Sequence, residues 1–132
     1  MTVFLDTVGM LALWDESDQW HSLAVEAYSK IVGQRASFLT TTYVLLELGN
    51  AAARRPYRNE VDELRRALEM RAELIAPNAE DWPSAWSAFR RGEAANAGIV
   101  DQFSFAVMRR LGIDDEFTND RHFAAAGFTM LF

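Results

Sequence analysis

Blocks of apolar and polar residues follow one another along the chain, and their period switches between that of a strand and that of a helix. Val3-Phe4-Leu5 is an unbroken apolar run that leads straight into Asp6 and Thr7. A short β-prone run of this kind suits a strand buried on both faces, which places Asp6 where the strand leaves the core. Val8 to Leu13 predicts a short helix, with Thr7 near its start. Asp15-Glu16-Ser17-Asp18 reads as a loop. Asp18 then caps a helix through Trp20, Leu23, Ala24, Ala27, Tyr28 and Ile31, spaced for one helical face, and Gly33 ends it. Ser37 to Thr40 predicts a strand. Thr40 to Thr42 offer capping hydroxyls to a helix from about Tyr43 to Arg55, stopped by Pro56.

The second half repeats the alternation. A mixed-charge helix over 59–72 precedes a strand at 73–76, closed by Pro77-Asn78. A helix over 80–91 sets Trp82, Trp86 and Phe89 on one face, with Pro83 tolerated in its first turn. Residues 92–98 read as a loop of small residues. The next helix, 100–111, carries the apolar stripe Val100, Phe103, Val107 and Leu111 and is capped by Gly112. A strand at 115–118, a short helix at 120–125 and a strand at 128–132 complete the reading. Strands alternating with helices predict an α/β fold whose parallel sheet is covered on both faces. With no repeat or linker, residues 1–132 are expected to form one domain.

Composition narrows the function. Half the residues are hydrophobic, enough for a core, yet no apolar run approaches the roughly 20 residues of a membrane span. Met1-Thr2 leads into the first strand without the basic region of a signal peptide. The absence of cysteine removes disulfides and thiolate metal sites, and a cytoplasmic location is expected. A net charge of −6 does not advertise a nucleic-acid binder, although cations held by carboxylates would neutralise part of it. All basic residues except Lys30 are Arg, which favours planar contacts to phosphate or carboxylate.

Four acids stand in half-apolar surroundings: Asp6 at the end of the first strand, Glu47 within Val44-Leu45-Leu46-Glu47-Leu48, Asp101 after Ile99-Val100, and Asp120 in Thr118-Asn119-Asp120. Each has an ordinary explanation. Asp6 fits a turn or cap, Glu47 an exposed helix border, Asp101 a first-turn partner of the helix dipole, and Asp120 an N-cap. Together they lie near the carboxyl edge of one sheet. Converging carboxylates raise one another's pKa values and destabilise a fold unless a divalent cation compensates them. All-oxygen ligation suits Mg²⁺ or Mn²⁺, and such sites support phosphodiester hydrolysis.

At these residues the chain resembles the PIN-domain ribonucleases, and more narrowly the VapC-type toxins of bacterial toxin–antitoxin pairs. Phe4-Leu5-Asp6-Thr7, Thr40-Thr41-Thr42-Tyr43-Val44-Leu45-Leu46-Glu47, Ile99 to Met108 around Asp101, and Phe117-Thr118-Asn119-Asp120-Arg121-His122-Phe123 with Ala126-Gly127-Phe128 resemble the family's four motifs in order. The resemblance implies a three-layer sandwich with a mostly parallel sheet of about five strands. It implies a Mg²⁺-dependent endoribonuclease, with Mn²⁺ able to substitute, in which Asp6, Glu47, Asp101 and Asp120 are catalytic and hold the metal. Its partners would be RNA, a small antitoxin and a second copy of the chain in a homodimer, with no membrane involved. Thr7, Ser104, Thr118 and Asn119 are expected to orient the acids or their water.

The remaining candidates are weighed against plainer roles. Arg54, on the Glu47 face, is the preferred RNA contact; the other arginines solvate helix faces or pair with Glu. His122 reads as structural or phosphate-contacting, and His21 as a surface residue. Asp114, Asp115 and Glu116 read as a solvated turn. The aromatics Trp14, Trp20, Tyr28, Trp82 and Trp86 read mostly as core, with Trp14 and Trp20 also able to flank an antitoxin groove. Two other classes compete with the ribonuclease: a catalytically silent PIN-like binding module, and a receiver-type signalling domain. A receiver expects an acidic pair after the first strand and a Lys near the last one, and this chain has neither.

Overall fold

The computed structural model describes residues 1–132. Five strands, β1 (Thr2–Leu5), β2 (Ser37–Thr41), β3 (Leu74–Ile75), β4 (Asp115–Phe117) and β5 (Thr129–Met130), form one sheet in the order β3-β2-β1-β4-β5, and every pairing is parallel. Eight helices connect them: α1 (Thr7–Trp14), α2 (His21–Gly33), α3 (Thr42–Ala52), α4 (Arg58–Met70), α5 (Asp81–Arg90), α6 (Glu93–Asn96), α7 (Ile99–Leu111) and α8 (Arg121–Ala125). None is long and apolar enough to cross a membrane.

β1 is central, and Val3, Phe4 and Leu5 are buried as an all-apolar run requires. From β1 the chain winds out through β2 and β3, then crosses back to β4 and β5 on the other side. The winding therefore reverses between β1 and β4. Open α/β sheets bind ligands at that crevice, beyond the carboxyl ends of the strands. Asp6 leaves β1 there, and Thr118-Asn119-Asp120 leave β4 beside it.

The two sheet faces differ. On one, Tyr28 of α2 stacks on Phe38 and meets Phe117 edge-on, while Leu64 and Leu68 of α4 border a cavity shared with Leu5 and Phe38. On the other lies α7, flanked by α3 and α5. Its Phe105 packs edge-to-face with Phe123 of α8, and the Arg110 guanidinium grips buried Asp81 of α5 at 2.8 Å. Because it is covered by neighbours, α7 buries more than one stripe: Gln102, Ser104, Phe105 and Met108 are buried beside Phe103 and Val107, whereas Leu111 is exposed.

Other local expectations need correction. Trp20, Trp82 and Trp86 are exposed rather than core residues, as is Leu23. Trp82, Trp86 and Phe89 do share one face, each ring meeting the next in a T-shaped, edge-to-face contact. Asp18 does not occupy the α2 N-cap. It caps the turn before it, accepting from the Trp20 backbone N–H at 2.8 Å. Gly33 is the last residue of α2, and the left-handed residue after it is Arg35. The segment read as a small-residue loop contains α6, one turn with left-handed backbone at Ala94, Ala95 and Asn96. That turn is held by Gln102, whose side-chain amide donates to the Glu93 carbonyl at 2.9 Å.

Gly9 is a positional requirement that helix propensity hides. α1 lies so close to β4 that a Cβ on Gly9 would sit 1.9 Å from the Phe117 carbonyl oxygen. Backbone cannot yield as a flexible side chain does. Gly9→Ala is expected to cost about 3 kcal/mol, lowering the melting temperature by about 10 °C. Calorimetry of the variant checks this, and an unchanged melting temperature would refute the close approach.

Candidate active site

Four segments carry the four acids: the residues after β1 and β4, and the helices α3 and α7. Asp6 is the N-cap of α1: its Oδ2 accepts from the Val8 backbone N–H at 3.3 Å and from the Thr118 hydroxyl at 3.0 Å. The second contact joins the end of β1 to the segment after β4. Thr118 Oγ1 also accepts from the Asp120 backbone N–H at 3.0 Å, so one hydroxyl fixes Asp6 and the backbone of Asp120 together. Asp120 caps α8, accepting from the His122 backbone N–H at 3.0 Å, and its Oδ1 also meets His122 Nδ1 at 2.6 Å.

Glu47 comes from α3, whose start is set by Thr41 accepting from the Val44 N–H at 3.1 Å. The preceding Thr40 donates to the Leu5 carbonyl at 2.6 Å and ties β2 to the end of β1. Thr7 donates its hydroxyl to Glu47 Oε1, which links the first two acids through adjacent residues. Asp101 stands in the first turn of α7. Ligand atoms of Asp101, Asp120 and His122 all lie within 4.8 Å of one another.

The electrostatics report the same crowding. Burial, then the negative charges of Asp101 and Asp120, push the Asp6 carboxyl up to about 8, against the opposing pull of the Thr118 and Thr7 hydrogen bonds. Burial, then the charges of Asp120 and Glu47, push Asp101 up to about 6, with His122 and a Gly98 backbone contact acting the other way. The donors are hard oxygens with one imidazole beside them. That set fits Mg²⁺ or Mn²⁺ better than a soft metal. Carboxylates pressed together with too few cationic partners are what a divalent cation compensates.

The supporting residues divide. Thr7 and Thr118 touch the acids directly. Ser104 does not: its hydroxyl donates to the Val100 carbonyl one turn back at 3.2 Å, an intrahelical contact open to any mid-helix Ser. Asn119 makes no side-chain hydrogen bond and contributes the spacing between Thr118 and Asp120. Arg54 lies beyond the end of α3, exposed, and forms no ion pair with Glu47. The largest correction concerns Glu116. It is no part of a solvated turn but a fully buried residue of β4. Burial, followed by the charges of Asp6, Asp101 and Asp120, holds its carboxyl well above the usual range.

Acids beyond the carboxyl ends of a five-stranded parallel sheet, where its winding reverses, fit a ligand site at the switch point. The chain belongs to the PIN-domain family, whose profile matches residues 3–129. Within that family its likeness is to VapC-type toxins. It is 30% identical over 129 residues to the 23S rRNA-specific endonuclease VapC20 of Mycobacterium tuberculosis, in strains CDC 1551 and H37Rv, spanning 96% of this chain and 95% of the relative. The crystal structure of Mycobacterium tuberculosis VapC20, described as a sarcin-ricin loop cleaving toxin, matches with a TM-score of 0.77 at 26% identity, over 96% of each chain.

Proposed function

We propose that this chain is a divalent-cation-dependent endoribonuclease and the toxin of a toxin–antitoxin pair. The observation that carries the proposal is the clustering of Asp101 and Asp120 with His122 within 4.8 Å, with Asp6 tied in through Thr118 and Glu47 through Thr7. Asp6, Asp101 and Asp120 are the residues to hold the cation, with Glu47 at the rim. When bound, Mg²⁺ or Mn²⁺ supplies positive charge to phosphate oxygens and lowers the pKa of a water.

The chain's own residues supply the order that this chemistry requires. The Thr118 hydroxyl prevents Asp6 from rotating away and fixes the backbone of Asp120. Thr7 orients Glu47, and His122 orients Asp120. These contacts limit reorganisation as charge develops on the phosphate. Glu47 and Val100 line a shallow groove with Tyr43, Leu46 and Asn50, an approach path for a strand of RNA.

RNA is favoured as substrate by the VapC20 relatives, and 23S ribosomal RNA is the first to test. A small antitoxin, a second copy of the chain in a homodimer and a cytoplasmic location belong to the same proposal. The test is to incubate purified protein with ribosomes or ribosomal RNA in Mg²⁺, Mn²⁺ or EDTA, mapping ends by primer extension. Discrete cuts that need the cation and vanish in EDTA are expected. Intact RNA of every class at millimolar Mn²⁺ would instead favour the silent binding module.

A further inference from the structure

Glu116 has no role in the scheme above, and its surroundings demand one. It is 0% exposed. Both carboxylate oxygens are shut off from solvent and neither has a hydrogen-bond partner. No cationic side chain reaches it: the ion pairs of the chain join Arg65, Arg66, Arg91, Arg110 and His122 to acids other than Glu116. An apolar residue of similar length would fill this place in a core without the penalty of an unpartnered acid.

The sheet register says where the carboxylate points. Glu116 is paired with Phe4 and Phe117 with Leu5. Successive side chains of a strand alternate between faces. Phe117 faces Tyr28 of α2, so Glu116 faces the α7 side, as does Thr118 two residues on. Asp6 follows Phe4 by two residues and is bound by that Thr118 hydroxyl. Glu116 therefore lies one pleat beneath the Asp6–Thr118 pair, in the field of Asp6, Asp101 and Asp120. It is a buried, unpartnered acid aimed at the floor of an acidic crevice.

We propose that Glu116 is a fifth carboxylate of the cation site, lending its negative charge from beneath Asp6 and strengthening the hold on the divalent ion. The inference rests on the reading of the four acids as a cation site. It explains why both Glu116 oxygens go unpartnered in the protein alone, since their counter-charge is the cation.

The test measures Mn²⁺ affinity by isothermal titration at pH 8 for the wild type, Glu116→Gln and Glu116→Met, together with metal-free melting temperatures. Both variants are expected to bind Mn²⁺ at least about tenfold more weakly, in line with the loss of a supporting group around a metal. Their metal-free melting temperatures should equal or exceed that of the wild type. A purely structural role would not move the affinity, so a folded variant with wild-type Mn²⁺ affinity overturns the proposal and leaves the cation site standing. Variants that both fail to fold would make Glu116 a structural acid, which also overturns it. A wild type that does not bind Mn²⁺ overturns the proposal and the cation site together.

Discussion

Replacing Asp101 by Asn is expected to reduce RNA cleavage by about 10²-fold or more while making the metal-free protein harder to melt. The two effects have one cause. Asp101 opens α7 within 4.8 Å of the ligand atoms of Asp120 and His122, and its carboxyl is pushed up to about 6 by burial and by Asp120 and Glu47. Its negative charge therefore opposes folding above that pH. Asn keeps the shape and removes the charge, so stability rises near pH 8, and the gain disappears below about pH 4, where the Asp is neutral as well. On the proposed function activity moves the opposite way, because several kcal/mol of transition-state charge stabilisation would depend on a cation held by these acids. Asp6→Asn should behave alike, with a larger gain in stability because Asp6 is fully buried and pushed further. Cleavage assays and metal-free melts on one preparation read both. Lost activity with lowered stability would assign Asp101 a structural role.

Without divalent ions, raising the pH from 5 to 8 should lower the melting temperature by about 10 °C. The direction is opposite to that of a salt-bridged carboxylate. A folded-state pKa raised to about 8 means that native Asp6 keeps a proton which the unfolded chain releases near 3.8. Between those values the native state binds more protons, so a rise in pH favours unfolding. Asp101 adds to the loss between about 4 and 6, and Glu116 acts in the same direction. Each pKa unit is worth about 1.4 kcal/mol, so Asp6 alone contributes on the order of a few kcal/mol. Asp81 is held low by Arg110 and by the Asn78 backbone against its own burial, so its contribution is lost only in stronger acid. The metal-free protein is thus most stable on the acid side of neutrality. Melts from pH 4 to 9 in EDTA test this, and a flat or rising profile would contradict the buried, mutually repelling acids.

What sequence patterning made legible was what a single element dictates. An unbroken apolar run ending in Asp can be read from residues 3–6, and the cap of α3 can be read within Thr40 to Thr42, where Thr41 supplies it. The four acids stood out because each interrupts apolar surroundings. What escaped depended on two elements meeting. Glu116 follows Asp114 and Asp115, and three acids in a row read as solvated. Only pairing with β1 shows that the third points inward. Gly9 looks like a weak helix residue until β4 passes over it. Trp82 and Trp86 have the spacing of a buried stripe, yet both stay exposed, Trp82 resting on Phe103 of α7 while the residues α5 buries are Asp81 and Ala85. Ser104 has a plausible place beside Asp101, but its hydroxyl is satisfied by its own helix.

The most direct test of convergence on a cation is a Mn²⁺ titration of thermal stability at pH 8, on the wild type and Asp101→Asn. Saturating Mn²⁺ should raise the wild-type melting temperature by several degrees, since a ligand that binds only the native state at about 100 times its Kd adds roughly 2.7 kcal/mol. The variant should start higher and hardly move. Equal shifts in both proteins, or none in either at millimolar Mn²⁺, would mean that these carboxylates do not hold the ion.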